Sequence, residues 1–202
     1  MRLLLFGGTF DPPHAGHMGI LQNAIATVQP DKVLVIPAGI PPHKRASATS
    51  PALRLAMCAC FLPLFQNMEI SEIEIHREGK SYTWHTVQQL MRQYPGAELF
   101  LCIGSDMLLG FTAWYCYRQL LQAVTLVVQS RSSRHTPQME ETVERLRHMG
   151  GRVLFTAGRV KEISSTQLRA AIAAGKDVRG LIPPPAPAII KQNRLYQKEL
   201  ST

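Results

Sequence analysis

Residues 1–36 decide the fold: MRLLLFGGTFDPPHAGHMGILQNAIATVQPDKVLVI. Arg2 to Phe6 is a short apolar run that ends in two glycines, which predicts a buried strand followed by a tight turn. From Gly16 onward, apolar residues recur at helical spacing as far as Val28. Lys32 to Ile36 is again short and β-branched, which predicts a second strand. Strand, helix and strand in this order predict a βαβ unit and therefore a parallel sheet.

The rest of the chain continues the alternation of strands and helices. We predict further strands at Met68 to Ile75, Glu98 to Ile103, Thr125 to Val128 and Arg152 to Thr156. Helices are predicted from Ser50-Pro51, and at Tyr82 to Tyr94, Ser105 to Gly110, Trp114 to Gln122, Pro137 to Met149, Thr166 to Ala174 and Pro184 to Tyr196. This pattern favours the α/β class and an open, doubly wound parallel sheet that binds ligands at the carboxyl ends of its strands. We expect one domain over residues 1–202, with a helical C-terminal portion from about residue 163.

Composition excludes several classes of protein. The chain has 202 residues, 46% of them hydrophobic, which is enough to bury a full core. No stretch approaches the roughly 18 consecutive apolar residues of a spanning helix, so we expect no membrane partner. The apolar start is cut off at Gly7 before a signal-peptide core of about 7–15 residues is complete, which favours a cytoplasmic location. The cysteines at 58, 60, 102 and 116 form no Cys-x-x-Cys pair, so we expect buried, reduced thiols rather than a zinc site or disulfides.

The charge of the chain favours a phosphate-containing partner. The formal net charge is +8, which fits ligands that carry phosphate. A nucleic-acid surface usually concentrates Lys and Arg in a stripe with aromatic residues between them. Here the basic residues are scattered and never occur three in a row, so we expect no nucleic-acid partner.

The most informative segment follows the first predicted strand: Gly7-Gly8-Thr9-Phe10-Asp11-Pro12-Pro13-His14-Ala15-Gly16-His17. It is neither a Walker loop nor a Gly-x-Gly-x-x-Gly dinucleotide motif. Its glycines allow the backbone to pass close to a ligand, and its two prolines stiffen the turn. His14 and His17 are three residues apart at a predicted helix start, so both imidazoles face one side of the first turn. That turn attracts anions through its free N–H groups, so we expect two histidine donors directed at phosphoryl oxygens.

This segment resembles the Gly-x-Phe-Asp-x-x-His-x-Gly-His signature of the HxGH nucleotidyltransferase superfamily, and its Gly-Gly-Thr-Phe-Asp-Pro-Pro-His form is similar to that of bacterial nicotinate-nucleotide adenylyltransferases. The resemblance implies a Rossmann-like nucleotidyltransferase fold, with His14 and His17 as catalytic residues. It also implies that ATP is bound by other residues of the motif, namely Gly7, Gly8, Thr9, Phe10, Asp11 and Gly16. We expect Asp11 to orient the loop rather than to bind metal, because one carboxylate cannot make a metal site alone.

Four later segments extend the resemblance through the middle of the chain. Pro41-Pro42-His43-Lys44 is similar to a segment whose basic residue meets ATP phosphates, which implies that Lys44 binds ATP. Ser81-Tyr82-Thr83 opens a helix as in the family, where Thr83 would help to bind the nicotinate carboxylate. Gly104 and Asp106 match a Gly-x-Asp pattern on the adenosine side, and Trp114-Tyr115 resembles a pair whose indole stacks on the pyridine ring. Taken without the resemblance, these features are typical of a solvated turn, a helix start, a helix cap and a core tryptophan.

A second signature lies near the C-terminus. Ile163-Ser164-Ser165-Thr166-Gln167-Leu168-Arg169 resembles the superfamily's Ile-Ser-x-Thr-x-x-Arg, and Ser164 with Gln167 forms a capping box that predicts a helix start. Arg169 opposes the dipole of that helix, so its place beside the hydroxyls of Ser164, Ser165 and Thr166 favours a docked polyphosphate. The resemblance makes Arg169 a catalytic residue and the three hydroxyl residues part of the ATP site. The family commonly continues its fifth strand with a basic pair and Pro-Gly, whereas this chain keeps only Arg131, a candidate for binding nicotinate mononucleotide.

The reaction implied by the resemblance is adenylyl transfer from ATP to nicotinate mononucleotide, giving deamido-NAD and pyrophosphate in NAD biosynthesis. It needs no protein nucleophile, because the mononucleotide phosphate can attack the α-phosphorus of ATP in line. Mg²⁺ would be bound mainly through the ATP phosphates.

Other functions stay open at this point. One alternative is a different HxGH nucleotidyltransferase that acts on nicotinamide mononucleotide, phosphopantetheine or glycerol phosphate, although Thr83 and Trp114 argue against the last two. Another is a non-catalytic nucleotide-binding protein, against which the retention of both histidines and Arg169 argues. An RNA-binding fragment related to class I aminoacyl-tRNA synthetases would need a Lys-rich second signature, which the chain lacks.

Overall fold

The computed structural model describes residues 1–40, 47–129 and 136–197. Its strands are β1 (Arg2–Gly8), β2 (Lys32–Pro37), β3 (Met68–Ile70), β4 (Glu98–Gly104), β5 (Val124–Gln129) and β6 (Arg152–Phe155). Its helices are α1 (Ala15–Val28), α2 (Pro51–Cys58), α3 (Thr83–Gln93), α4 (Ser105–Leu109), α5 (Tyr117–Ala123), α6 (Pro137–His148), α7 (Ser165–Ala173) and α8 (Ala186–Gln192). Short 3₁₀ segments at Ala59–Leu64 and Phe111–Ala113 extend the helical layers. Two predicted site residues, Lys44 and Arg131, lie outside the described residues.

The described strands form one sheet in the order β3-β2-β1-β4-β5-β6, and every pairing is parallel. Leu5 of β1 lies opposite Leu34 of β2 on one side and opposite Leu101 of β4 on the other. The strand order runs outward from β1 to β3 and then resumes at β4, on the other side of β1. This reversal creates a topological switch point at the carboxyl ends of β1 and β4, where sheets of this kind bind ligands. The predicted open, doubly wound parallel sheet is confirmed.

Helices cover both faces of the sheet. Side chains alternate along β1, so Leu3 and Leu5 face one helical layer while Leu4 and Phe6 face the other. The first layer contains α3 to α6, with buried residues that include Val87, Leu90, Leu108, Leu120, Val143 and Leu146. The second layer contains α1, α2 and the first 3₁₀ segment, with buried residues that include Leu21, Ala24, Val28, Cys58 and Phe61. Because both faces are covered, the central strands are continuous apolar runs.

The C-terminal helices pack against α2. Met57 of α2, Leu168 of α7 and Ile190 of α8 are buried together in a third cluster. The backbone N–H of Ala15, the first residue of α1, donates to the carbonyl of Leu181 at 2.8 Å. These contacts hold the C-terminal helical portion beside the start of α1.

The strand predicted at Met68 to Ile75 is wrong in its second half. β3 ends at Ile70, and the N–H of Ser71 makes a last bond to the carbonyl of Val35 at 2.8 Å. The chain then turns, since the carbonyl of Glu72 accepts from the N–H of Ile75 at 2.9 Å. Polar and apolar residues still alternate within this turn, but Glu74 is a buried carboxylate rather than an outward strand residue.

Two helices are shorter than predicted, and one cysteine differs from expectation. The helix predicted from Trp114 begins at Tyr117, because Cys116 adopts φ 52° and interrupts the helical backbone. The helix predicted over residues 184–196 is limited to Ala186–Gln192, and both Arg194 and Tyr196 have positive φ. The four cysteines are free, but Cys116 is only partly buried.

Within the described ranges, no helix is both long and apolar enough to cross a bilayer.

Candidate active site

A cleft of about 1480 Å³ opens at the carboxyl ends of β1 and β4. Every predicted site residue in the described part of the chain lines this cleft. From the histidine motif these are Gly7, Gly8, Thr9, Phe10, Asp11, His14, Gly16 and His17. From the later segments they are Thr83, Gly104, Asp106, Trp114, Tyr115, Ser164, Ser165, Thr166 and Arg169. The fold therefore brings together segments that lie far apart in sequence.

The two histidines are held by the first turn of α1. His14 is the N-cap residue, and its Nδ1 accepts a hydrogen bond from the backbone N–H of His17 at 3.2 Å. The imidazoles stack with their centroids 3.7 Å apart and 19° between their planes. Because Nδ1 of His14 is an acceptor, the proton of the neutral ring lies on Nε2. The i, i+3 spacing thus places both rings on one side of the helix start, as the sequence predicts.

Both histidines are neutral near pH 7 in this setting. Burial lowers the pKa of His14 to about 4, although a backbone hydrogen bond opposes this. Burial also lowers the pKa of His17 to about 3, and the proximity of His14 adds to the effect. A neutral imidazole still donates one N–H, and an approaching phosphate favours the protonated form of each ring. The site can therefore gain positive charge as an anion binds.

Close packing explains two glycines of the motif. A Cβ on Gly8 would lie 2.7 Å from the ring of Phe10. A Cβ on Gly16 would lie 2.9 Å from the carbonyl oxygen of Lys161 and 3.0 Å from Nδ1 of His14. Phe10 is 1% exposed, and its ring lies 5.1 Å from that of His17. Its phenyl group therefore supports the histidines from within the core.

Asp11 connects the histidine motif to distant segments. One carboxylate oxygen accepts from the hydroxyl of Ser47 at 2.6 Å, and the other accepts from the hydroxyl of Tyr196 at 2.5 Å. The main-chain oxygen of Asp11 accepts from Nη1 of Arg169 at 2.7 Å, and that of Pro12 accepts from the hydroxyl of Ser165 at 2.9 Å. The motif loop is thus fixed from the segment before α2, from α7 and from the C-terminal end.

The start of α7 faces this loop. Ser164 is the N-cap residue, and its hydroxyl accepts from the N–H of Gln167 at 3.1 Å, as the capping pattern predicts. Nη2 of Arg169 donates to the hydroxyl of Thr166 at 3.2 Å, while Nη1 reaches Asp11. The helix terminus therefore presents hydroxyl groups, amides and a guanidinium beside the two histidines. Such a set of donors suits a polyphosphate.

A second group of residues that line the cleft is aromatic. Tyr82, the N-cap residue of α3, lies 4.7 Å from Tyr115 between ring centroids, and His85 lies 5.3 Å from Tyr115. Trp114 is partly buried and packs on Phe111 at 5.3 Å, so it is both a cleft residue and part of the core boundary. Tyr115 is 50% exposed. These rings and the N-terminus of α3 suit a flat ring with a small anionic substituent.

Arg54 is a buried cation that the sequence analysis did not identify. It is 2% exposed, and its Nη1 donates to the carbonyl of Thr9 at 3.1 Å and to that of Ala38 at 2.7 Å. Burial lowers the pKa of this guanidinium, and the nearby carboxylate of Asp11 opposes that shift. Arg54 thus joins the segments that directly follow β1 and β2. Its partners are main-chain oxygens, which no sequence pattern could specify.

Gln129 and Glu74 were also missed. The amide oxygen of Gln129 accepts from Asn23 at 2.9 Å and from Thr156 at 2.7 Å, and its amide nitrogen donates to the carbonyl of Gly158 at 3.2 Å. This network holds the segment after β6 against α1. Glu74 accepts from the hydroxyl of Thr86 on α3 at 2.7 Å, and burial raises the pKa of its carboxyl. A polar residue at the end of a predicted strand was the available signal for Gln129.

The described residues offer few side chains that could together bind a metal ion. No group of three or more His, Cys, Asp or Glu side chains is placed to hold a metal ion within residues 1–40, 47–129 and 136–197. Both carboxylate oxygens of Asp11 already accept hydrogen bonds. These residues fit a metal that is carried mainly by phosphates and water, rather than one held in a protein cage.

Comparisons with known proteins show which family the chain belongs to. The cytidylyltransferase-like family matches residues 5–171. A protein of Exiguobacterium sibiricum named probable nicotinate-nucleotide adenylyltransferase is 36% identical over 197 residues, covering 97% of this chain and 99% of the relative. A protein of Gemmatimonas aurantiaca with the same name is 36% identical over 200 residues, covering 98% and 93%.

A solved structure shares the fold. Plasmodium falciparum nicotinic acid mononucleotide adenylyltransferase, solved in complex with NaAD, superposes with a TM-score of 0.79 at 15% identity and covers 96% of this chain and 97% of its own. The resemblance inferred from the two signatures is confirmed. The chain therefore belongs to the nicotinate-nucleotide adenylyltransferases, within the cytidylyltransferase-like family.

Proposed function

We propose that this chain transfers the adenylyl group of ATP to nicotinate mononucleotide, producing deamido-NAD and pyrophosphate. The observation that carries the proposal is that one cleft is lined by two groups of residues. The donor-rich group of His14, His17 and the start of α7 is called the phosphate-binding end, and the aromatic group is called the aromatic end. The first end suits a polyphosphate and the second suits a pyridine ring. With ATP phosphates at the first end and the pyridine ring at the second, the mononucleotide phosphate and the ATP α-phosphate meet between the two ends.

The phosphate-binding end acts by positioning and by charge stabilisation. An oxygen of the mononucleotide phosphate attacks the α-phosphorus of ATP, and the bond from that phosphorus to the bridging oxygen breaks as pyrophosphate leaves. The N–H groups of His14 and His17 bind α- and β-phosphate oxygens as negative charge moves toward the leaving group. No protein nucleophile takes part, so each histidine remains a donor throughout.

The β- and γ-phosphates are assigned to the start of α7. Ser165, Thr166 and Arg169 would contact them there, and Ser164 would support the turn as its cap. Lys44, outside the described residues, would add a cation, as its sequence segment predicts. Gly7, Gly8, Thr9, Phe10 and Gly16 would shape the ATP site, with Gly104 and Asp106 on the adenosine side.

Asp11 is assigned to orienting the loop, because both of its carboxylate oxygens are engaged within the protein. Mg²⁺ is proposed to bind mainly through the ATP phosphates and water, where it would neutralise phosphate charge. No described side chain is assigned as a ligand of this Mg²⁺.

The aromatic end is assigned to the mononucleotide. Trp114 would stack on the pyridine ring, with Tyr115 beside it and Arg131, outside the described residues, contributing a cation. Thr83 is the first residue of α3, so its hydroxyl and the free amides of that first turn would bind the nicotinate carboxylate. An anion gains more from this helix terminus than a neutral carboxamide does.

Two further predictions accompany this assignment. We propose that residues 1–202 form a single nucleotidyltransferase domain, and the packing of α7 and α8 on α2 supports this. A cytoplasmic location stays a prediction from the sequence.

Pyrophosphate release tests the function. Purified protein is mixed with ATP and Mg²⁺ alone, with added nicotinate mononucleotide, or with added nicotinamide mononucleotide. We expect release only with a mononucleotide, and a preference for the acid of at least about tenfold in kcat/KM, or roughly 1.4 kcal/mol. Thr83→Ala should lower that ratio without abolishing it, because the amides of α3 remain.

Each alternative has its own outcome in this assay. ATP binding without pyrophosphate release would indicate a non-catalytic nucleotide-binding protein. Equal use of the acid and the amide would indicate a dual-specificity relative. In a further arm with phosphopantetheine in place of a mononucleotide, release there and in no other arm would assign a different acceptor.

A further inference from the structure

The end of the described chain returns to the histidine motif. After α8, Arg194 and Tyr196 adopt positive φ values of 50° and 63°, which turn the backbone toward the cleft. Tyr196 is partly buried, and its hydroxyl donates to one carboxylate oxygen of Asp11 at 2.5 Å. These two residues are 185 positions apart in sequence. Non-glycine residues in this backbone region are uncommon, so the surrounding contacts hold the turn in place.

The contact belongs to a small network of residues that line the cleft. Ser47 donates to the other oxygen of Asp11 at 2.6 Å and accepts from the N–H of Thr49 at 3.1 Å. The hydroxyl of Thr49 donates to that of Tyr196 at 3.5 Å. Asp11 itself is 7% exposed. A carboxylate buried to this degree requires donors on both oxygens, and Tyr196 and Ser47 provide one each.

Tyr196 is suited to act as a permanent donor. Burial raises the pKa of its hydroxyl, and the hydrogen bond to Asp11 raises it further. The hydroxyl therefore keeps its proton throughout the neutral pH range. It is not placed to exchange protons with substrate, because its proton is directed at Asp11.

The position of Asp11 affects both halves of the phosphate-binding end. Three residues later in the chain, His14 caps α1 and stacks on His17. The main-chain oxygen of Asp11 accepts from Arg169 at 2.7 Å. A rotation of Asp11 would therefore displace the histidines and the guanidinium relative to each other.

We propose that Tyr196 is a positioning residue for adenylyl transfer: its hydroxyl fixes the carboxylate of Asp11 and thereby aligns His14, His17 and Arg169. This inference rests on the proposed function, and it assigns a role in the phosphate-binding end to a C-terminal residue outside both signatures.

The test is Tyr196→Phe, with Tyr94→Phe as the matched control. Tyr94 is another partly buried tyrosine, but it lies near Lys32, and its ring is 5.4 Å from Nζ of that residue. We expect Tyr196→Phe to lower kcat about tenfold and to leave the KM for nicotinate mononucleotide within twofold. Ser47→Ala should act in the same direction, and Tyr94→Phe should leave kcat unchanged.

A double-mutant cycle separates positioning from general stability. In an Asp11→Ala background, Tyr196→Phe should lower kcat by less than twofold, because the acceptor that the hydroxyl positions is gone. A full tenfold loss of kcat in that background would show that Tyr196 does not act through Asp11. An unchanged kcat for Tyr196→Phe in the native background, measured well below its Tm, would overturn the inference even if the variant were less stable.

Amide hydrogen exchange gives a readout that does not depend on activity. Tyr196→Phe should speed exchange of the His17 amide, which is bonded to Nδ1 of His14, whereas Tyr94→Phe should not. A wild-type protein that is inactive with ATP and nicotinate mononucleotide would refute the proposed function. Unchanged exchange in Tyr196→Phe would refute the positioning role separately.

Discussion

The two ends of the cleft are built in different ways. At the phosphate-binding end, the carbonyls of Thr9, Asp11 and Pro12 each accept a hydrogen bond from a side chain far away in sequence. At the aromatic end, the described contacts are mainly between rings, and Tyr115 is 50% exposed. The first end is therefore preorganised before substrate binds, whereas the second offers aromatic surfaces against which a ring can stack. Substitutions at the two ends should affect different kinetic constants.

The largest expected effect is at the histidines. His17→Ala should lower kcat by roughly 10²–10³, the scale for removing a preorganised donor to developing charge. Steady-state kinetics measure this, and thermal unfolding checks that the variant is folded. A folded variant whose turnover stays within about threefold of wild type would show that the phosphate-binding end does not act through this donor.

Arg169→Ala tests whether the same end binds the polyphosphate. ATP affinity should weaken by about 1.5–3 kcal/mol, the range for hydrogen bonds to charged groups, while mononucleotide affinity changes little. Calorimetric titration with each ligand measures both. Because Arg169 also bonds to the carbonyl of Asp11, stability should fall as well, in contrast to a helix-start arginine without tertiary contacts. Unchanged ATP affinity would leave Arg169 with a structural role alone.

Trp114→Ala tests the aromatic end. Mononucleotide affinity should weaken by about 1–3 kcal/mol, a range taken from base–aromatic stacking, with ATP affinity largely intact. Trp114→Phe is the control, because it keeps an aromatic ring beside Phe111 and should lose less of both affinity and stability. If ATP and mononucleotide affinities fell equally, the separation between the two ends would be incorrect.

The last expected effect concerns pH and falls on stability rather than on turnover or ligand affinity. The pKa values of His14 and His17, about 4 and about 3, lie below the ordinary value of 6.5. Between each lowered pKa and 6.5, the unfolded chain therefore binds more protons than the folded chain does. The free energy of unfolding should therefore fall as pH decreases from 6.5 toward 3, by at most about 1.4 kcal/mol per pH unit for each histidine. Above pH 6.5 both histidines are neutral in the folded and the unfolded chain, so this loss of stability is absent.

Urea unfolding at several pH values measures this slope. His14→Asn keeps a good N-cap residue but removes one buried imidazole, so it should flatten the slope. His148→Gln replaces a solvent-exposed histidine on α6 and serves as the control. Equal slopes for wild type and His14→Asn would contradict neutral burial of His14. Bound ATP should also reduce the slope, because phosphate favours the protonated rings.

Much of the fold could be predicted from local sequence patterns. β1 and β4 are continuous apolar runs because both faces of the sheet are covered, and Ser164 has the pattern of a helix cap. The prediction at Met68 to Ile75 was wrong because alternation alone cannot distinguish a strand from a turn whose acidic residue is buried. Burial of Glu74 depends on Thr86 of α3, which sequence reasoning could not anticipate.

The candidate site also contains residues that local sequence predicts and residues whose partners depend on tertiary structure. Cleft residues that belong to compact signatures, such as His14, His17 and Arg169, could be predicted from spacing and charge. Residues that support the cleft could not, because Arg54 binds main-chain oxygens that directly follow two strands and Tyr196 binds a carboxylate 185 positions away. Such partners are set by tertiary structure alone.

The most direct test of direct transfer is the stereochemistry at the α-phosphorus. ATP that carries one sulfur in place of a defined non-bridging α-oxygen is converted with nicotinate mononucleotide, and the configuration of the product is determined. A single in-line displacement, with His14 and His17 acting only as donors, predicts inversion. Retention would indicate two displacements through an adenylylated enzyme group and would contradict the account.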